Sequence, residues 1–172
     1  DRPSRVSAIK RALQRDSRFQ FINALKFPER LIMETHPYAS YIKTICRKMS
    51  PDEPENYPDL FPGVSLNRPT VRPEPEWAGA WCMDSVTPLS HHTYHAARRS
   101  AETAMTGARM LLSGEERHVY ALCRPPGHHA GPKAFGGYCY FNNAFLAGDM
   151  FSAHGRVAIL DIDYHHGNGT QD

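Results

Sequence analysis

Long apolar runs are missing from this sequence. No stretch approaches the ~20 consecutive apolar residues that a helix needs to cross a bilayer, so no membrane partner is expected. An excess of one charge is missing too. Twenty Lys and Arg stand against 18 Asp and Glu, a formal net charge of +2. Both signs are spread along the chain, and nothing in that balance argues for nucleic acid or a membrane surface as partner. Cysteine is scarce: Cys46, Cys82, Cys123 and Cys139 form no CxxC pair. They read as reduced thiols of an intracellular, cytoplasmic protein. The first residue is Asp rather than Met and no signal-peptide pattern follows, so the start is expected to be trimmed. What is present is an ordinary 41% of hydrophobic residues in 172. That suits one domain, or a large part of one.

The chemistry concentrates in residues 156–170, RVAILDIDYHHGNGT. Val157 to Leu160 is a short apolar run and predicts a buried strand, of the kind found in parallel sheets. Two acids and two histidines arrive where that run stops. Side chains alternate along a strand, so Asp161, Asp163 and His165 share one face, with Ile162 and Tyr164 turned into packing on the other. In open α/β sheets, ligands bind outside such strand ends.

A second polar cluster follows a second apolar run, residues 118–123. It reads Arg124-Pro125-Pro126-Gly127-His128-His129-Ala130-Gly131, then the Gly-hinged aromatic loop Phe135-Gly136-Gly137-Tyr138-Cys139-Tyr140-Phe141-Asn142-Asn143. A helix over residues 144–152 joins the two clusters. Strand, helix and strand predict a right-handed βαβ unit with both clusters at one edge of the sheet.

The rest of the chain is organised around these. Val6, Ile9 and Leu13 predict a helix over residues 3–15, with Arg5 in its first turn, where the helix dipole disfavours a cation. Residues 19–33 show no clear period. Tyr38, Tyr41, Ile42 and Ile45 predict a helix opening at His36-Pro37 and ending near Met49. Residues 50–76 hold seven of the chain's 14 prolines, a stretch expected to be an insertion over the site or against a partner subunit. The apolar residues 77–83 are expected to pack that loop back. Thr93 reads as the N-cap of a helix over residues 94–112, with Ala97, Ala101, Ala104 and Ala108 on one face and Gly114 at its end. His91 and His95 are four apart, yet no acid stands among them, and a metal role there is disfavoured.

Asp163 and His165 offer one oxygen and one nitrogen ligand, which suits a catalytic Zn²⁺ or Fe²⁺ better than a closed structural zinc. Such a site takes about three protein ligands, so one is missing. His128 and His129 are placed to act as general acid and base, each needing a partner on its second nitrogen. Asp161 and Asn168 are available. Cys139 reads as a small buried thiol without an activating base.

The three motifs, RPPGHHA from Arg124, FGGYCYFNN from Phe135 and DIDYHHGNGTQ from Asp161, resemble the zinc-dependent histone deacetylase superfamily. They are most similar to the bacterial acetylpolyamine amidohydrolases and the class II-like deacetylases, with Asn168 pointing to that branch. The resemblance is strong over residues 120–172 and weaker at the start. It implies the arginase-deacetylase α/β fold, a central parallel sheet flanked by helices. It implies hydrolysis of an N-acetyl amide to acetate and a free amine, the substrate being an acetylpolyamine or an acetyl-lysine. By motif match, Asp163 and His165 are zinc ligands, His129 is the general base, and His128 assists as electrostatic catalyst or acid. Asp161 orients His128 and helps bind a structural K⁺ with the backbone of Asp163 and His165, while Asn168 partners His129. Gly137 receives the substrate amide, Tyr138 lines the channel, and Arg5 matches the arginine of the acetate-release channel. The insertion at 50–76 falls where the acetylpolyamine enzymes carry a loop used in dimerisation.

The family's third zinc ligand and its transition-state tyrosine lie beyond residue 172. The chain is therefore expected to be the N-terminal part of a single deacetylase domain, with an incomplete metal site, an unpaired sheet edge and no activity of its own. Two rival readings share the fold. An arginase-like ureohydrolase wants a further acid where this chain has Gly167. A non-catalytic descendant that binds acetylated ligands sits poorly with the intact His128, His129, Asp163 and His165.

Overall fold

Residues 4–58 and 74–172 are described by the computed structural model of the chain. Six α-helices order them: α1 (Ser4–Gln14), α2 (Arg30–Thr35), α3 (Ala39–Lys48), α4 (Thr93–Ser113), α5 (Asn143–Ser152) and α6 (Asn168–Gln171), with a 3-10 helix at Pro75–Ala80. The helices expected over residues 3–15, from His36-Pro37 to near Met49, over 94–112 and over 144–152 are there as α1, α3, α4 and α5, with residue 3 outside the described residues. α3 buries Tyr41, Ile42 and Ile45 and ends on Arg47 and Lys48, basic residues that suit the negative end of a helix. α4 buries its alanine face and stops at Gly114, whose φ of 76° is the left-handed cap that glycine accepts readily. Its N-cap is His92 rather than Thr93. The Thr93 hydroxyl instead accepts from the Ser90 backbone N–H at 2.9 Å, tying the entering loop to the first helical turn.

The core lies where α3, α4 and α5 meet the aromatic loop. Ile32, Tyr38, Ile42, Ile45, Leu89, Met105, Phe135 and Phe141 are fully enclosed within one cluster. Ala78 and Cys82 join it, and Trp77 and Trp81 pack against it. Of the proline-rich stretch at 50–76, residues 59–73 lie outside the described residues. Its first part pairs through an Asn56–Leu89 antiparallel bridge.

The expected sheet is not confirmed among the described residues. Among the described residues there are only three isolated bridges and no strand. Residues 118–123 and 157–163 pass beneath helices as they should: a side chain on Gly107 of α4 would meet Val119, and one on Gly148 of α5 would meet Ile159. No strand is described in either segment, so the expected βαβ pairing is not confirmed. Ile162 and Tyr164, expected in packing, are 90% and 97% exposed. A strand is stable only against a neighbour, and its composition records what kind of surface it suits, not whether that neighbour is present.

Residues 24–27, within the stretch where no period is visible, are held by side chains of α4. Leu25 N–H donates to Thr106 Oγ1 at 2.9 Å and Phe27 N–H to Glu102 Oε1 at 3.3 Å. Arg98 and Arg99 donate to the Phe27 and Ala24 carbonyls. Backbone groups satisfied this way leave no 3.6- or 2-residue signature.

One buried histidine ties the core to the polar loops. His36 Nε2 accepts from the Asn142 N–H at 2.9 Å, and Nδ1 lies 3.1 Å from the Gly131 carbonyl and 3.1 Å from the Tyr38 hydroxyl. Burial pushes its pKa down to about 4. The fold therefore favours the neutral ring, and the unfolded chain binds the proton first as pH falls. Stability is full above the ordinary histidine pKa of ~6.5 and is lost as pH drops towards 4, by about 2 kcal/mol between pH 7 and pH 5. Urea unfolding of the full-length protein at both pH values, beside His36→Gln, checks this. The variant should lose markedly less over the same interval, and equal losses would contradict it.

Candidate active site

Both histidine-bearing motifs open onto one cavity of about 720 Å³. His128 and His129 sit on the loop before α5, and α6 docks against that loop. Thr170 N–H donates to the His128 carbonyl at 3.2 Å, and Asn142 Nδ2 reaches both the Ala130 carbonyl and Thr170 Oγ1. Asn142 is also the N-cap of α5, its side chain accepting from the Phe145 N–H. One asparagine thus fixes where the loop, α5 and α6 meet.

The two imidazoles lie with centroids 4.1 Å apart. His128 Nδ1 is 2.8 Å from Asp161 Oδ2, and His129 Nδ1 is 2.7 Å from Asn168 Oδ1. Carboxylate and amide oxygens are acceptors, so each Nδ1 carries the hydrogen. A neutral ring then keeps its lone pair on Nε2. The Asn168 amide is oriented by its own Nδ2, which reaches the His129 carbonyl at 3.4 Å.

Asp161, Asp163 and His165 all line the cavity, with the His165 ring 6.1 Å from that of His129. The acids are chained. Asp163 N–H donates to Asp161 Oδ1 at 3.0 Å, and His165 N–H donates to Asp163 Oδ1 at 2.8 Å. Those N–H groups, and after them the His128 and His165 rings, hold both carboxyls below the usual carboxylate range. His165 Nδ1 stands 3.0 Å from Asp163 Oδ1. Among the described residues no three His, Cys, Asp or Glu side chains converge, so these two donors stand without a third.

Arg5, Gly137 and Tyr138 reach the same cavity, Arg5 from the exposed first turn of α1. A Cβ on Gly167 would fall 2.4 Å from Asp161 Oδ2. The position that an arginase-like site would fill with a carboxylate therefore has no room for a side chain while Asp161 holds His128. Cys139 is fully buried and burial pushes its thiol up to about 12, so it is no nucleophile at neutral pH. His91 lies apart from the cavity and bonds the Met49 carbonyl at 2.8 Å.

Three residues escaped the sequence reading. His36 belongs to no motif that would flag it. Asp84 and Thr87 do carry a signal, an Asp followed two residues on by an amide it can accept from. That turn forms, Val86 N–H to Asp84 Oδ1 at 2.8 Å. Asp84 also accepts from the Thr87 hydroxyl, and its remaining partner, the Gly137 N–H, lies 53 residues further along.

A family model described as the histone deacetylase domain matches residues 1–172. An acetylpolyamine amidohydrolase of Pseudomonas aeruginosa is 51% identical over 96 residues, 55% of this chain and 28% of that protein. One from Burkholderia pseudomallei is 38% identical over 148 residues, 84% of this chain and 42% of that protein. A crystal structure of acetylpolyamine aminohydrolase from Burkholderia pseudomallei superposes with a TM-score of 0.85 at 33% identity, covering 98% of this chain and 50% of that one. The chain spans half the length of that solved relative and less of the two curated ones.

Proposed function

The chain belongs to the histone deacetylase domain family, and from that premise we propose that it is the N-terminal part of one deacetylase domain that hydrolyses N-acetylated amines. The observation that carries this is the histidine pair: two rings side by side over one cavity, with one nitrogen of each tied to a different partner. The neutral amide of Asn168 leaves His129 Nε2 to take a proton from water. The carboxylate of Asp161 stabilises a charge on the His128 ring, which suits it to assist electrostatically and to deliver a proton to the leaving amine. The Gly137 carbonyl would receive the substrate amide N–H, Tyr138 would wall the channel, and Arg5 would meet the departing acetate.

Asp163 and His165 would hold a Zn²⁺ or Fe²⁺. Their donor atoms, 3.0 Å apart, suit two ligands of one ion with bonds of roughly 2.0–2.2 Å, and an oxygen–nitrogen set without thiolate suits a catalytic site. When bound, such an ion lowers the pKa of a water and polarises a carbonyl oxygen. A structural K⁺ would sit on Asp161 with the backbone of Asp163 and His165. Acetylpolyamine amidohydrolases among the relatives favour an acetylated polyamine as substrate over an acetyl-lysine protein. A homodimer through residues 50–76 belongs to the same reading.

Acetate release by the full-length protein, from acetylputrescine and from an acetyl-lysine peptide, is the test. Chelation should lower turnover by about 10²-fold or more, and added zinc should restore it. Turnover indifferent to chelation would overturn the metal reading. No turnover of either substrate would overturn the deacetylase reading.

A further inference from the structure

The aromatic loop makes a turn that two distant side chains hold. Gly137 and Tyr138 are consecutive residues in the left-handed region, at φ 56° and 64°. Glycine enters that region freely, whereas tyrosine stays there only when its surroundings hold it. Gly137 N–H donates to Asp84 Oδ2 at 2.5 Å, and Tyr138 N–H donates to Thr87 Oγ1 at 2.9 Å. The Thr87 hydroxyl donates in turn to Asp84 Oδ2 at 3.0 Å. Thr87 is fully buried, so its hydroxyl has one donor and one acceptor and a single orientation.

The clamped turn borders the histidines. A Cβ on residue 137 would fall 2.3 Å from His129 Cδ2, so the backbone there lies against the ring. Tyr138 stands between the histidine cavity and a second one of about 490 Å³ that Tyr57, Val86 and Tyr140 help to line. If the two amides lost their acceptors, the Tyr138 backbone would be free to return to negative φ, and both the Gly137 carbonyl and the ring would swing.

We propose that Asp84 and Thr87 are positioning residues that set the width and the amide-binding edge of the substrate channel by fixing the Gly137–Tyr138 turn. The proposal rests on the reading of Gly137 and Tyr138 as channel residues. Asp84 accepts three donors through two oxygens, which an asparagine could not do without turning an N–H toward an N–H.

The clamp is read without substrate by hydrogen exchange in the full-length protein. In Thr87→Val and Asp84→Asn, both near-isosteric, the amides of residues 137 and 138 should exchange about tenfold faster or more. Unchanged exchange in both variants overturns the clamp. Its consequence is read with acetylputrescine: KM should rise about tenfold in Thr87→Val with kcat within about threefold, and Thr87→Ser should bring KM back to within about twofold. Tyr138→Ala separates the two failures. If it raises KM and Thr87→Val does not, the positioning role is wrong and the channel reading stands. If Tyr138→Ala leaves KM unchanged, the channel reading fails and the proposal fails with it.

Discussion

Replacing His129 by alanine in the full-length protein should lower kcat for acetyl-amine hydrolysis by about 10²–10⁴-fold, the usual worth of a positioned general base. The ring touches the cavity and its Nδ1 bonds only Asn168, so the fold should tolerate the change. A thermal midpoint near that of the parent would separate lost chemistry from lost structure. His128→Ala should fall in the same range. The double variant should be little worse than either alone, because residues acting on one proton inventory are not additive. Asp161→Asn should cost less than His128→Ala, since the ring keeps a hydrogen-bond partner at 2.8 Å and loses only the stabilising charge. Single variants that retain more than about a tenth of parental kcat would remove the histidine pair from the mechanism.

The largest effect on stability should come from Glu102. Its side chain is 1% exposed and accepts from Arg98 Nε at 3.1 Å, Arg99 Nη1 at 2.5 Å and the Phe27 N–H at 3.3 Å. Arg98 passes the charge on to Glu29 at 2.6 Å, which Lys43 of α3 also grips. One carboxylate therefore joins residues 24–29 to α4. Glu102→Ala would take the buried carboxylate from two partly buried guanidinium groups, leaving Arg98 to Glu29 and the Phe27 carbonyl and Arg99 to the Ala24 carbonyl, and would leave the Phe27 N–H without its acceptor. Breaking a buried pair from one side typically costs ~3–5 kcal/mol. The arginine side chains are 25% and 37% exposed, so the lower end, about 3 kcal/mol, is expected. Glu102→Gln, which keeps an acceptor, should lose roughly half of that. The Asp16–Arg18 pair is the control: Arg18 is 84% exposed, and Asp16→Ala should leave the unfolding midpoint unmoved within error. Chemical unfolding of the three variants decides it, and a Glu102→Ala midpoint equal to the parent's would refute the bridging role.

Helices and polar clusters were legible because each leaves a local signature. The i, i+3, i+4 spacing of Tyr38, Tyr41, Ile42 and Ile45 marks a buried helix face whatever it packs against. The motifs around His128 and Asp161 were legible because tandem histidines and alternating acids have few uses outside a site. The strands were read from composition alone, and there the inference stopped short. Val157 to Leu160 suits a pleated surface, but a ladder belongs to two segments at once, and one segment cannot record the presence of the other.

The sequence by itself determined which chemistry this chain carries: two imidazoles, an oxygen–nitrogen donor pair, glycines where backbone must come close, and the family these motifs resemble. Only the tertiary structure decided which group meets which. That Asp161 takes His128 and Asn168 takes His129, that Glu102 anchors residues 24–29, and that Asp84 reaches Gly137 all depend on contacts between residues 33 to 75 positions apart. Such pairings are selected by packing, because a polar side chain in a closing core must find whichever partner the fold delivers. Local sequence records only that a partner will be needed.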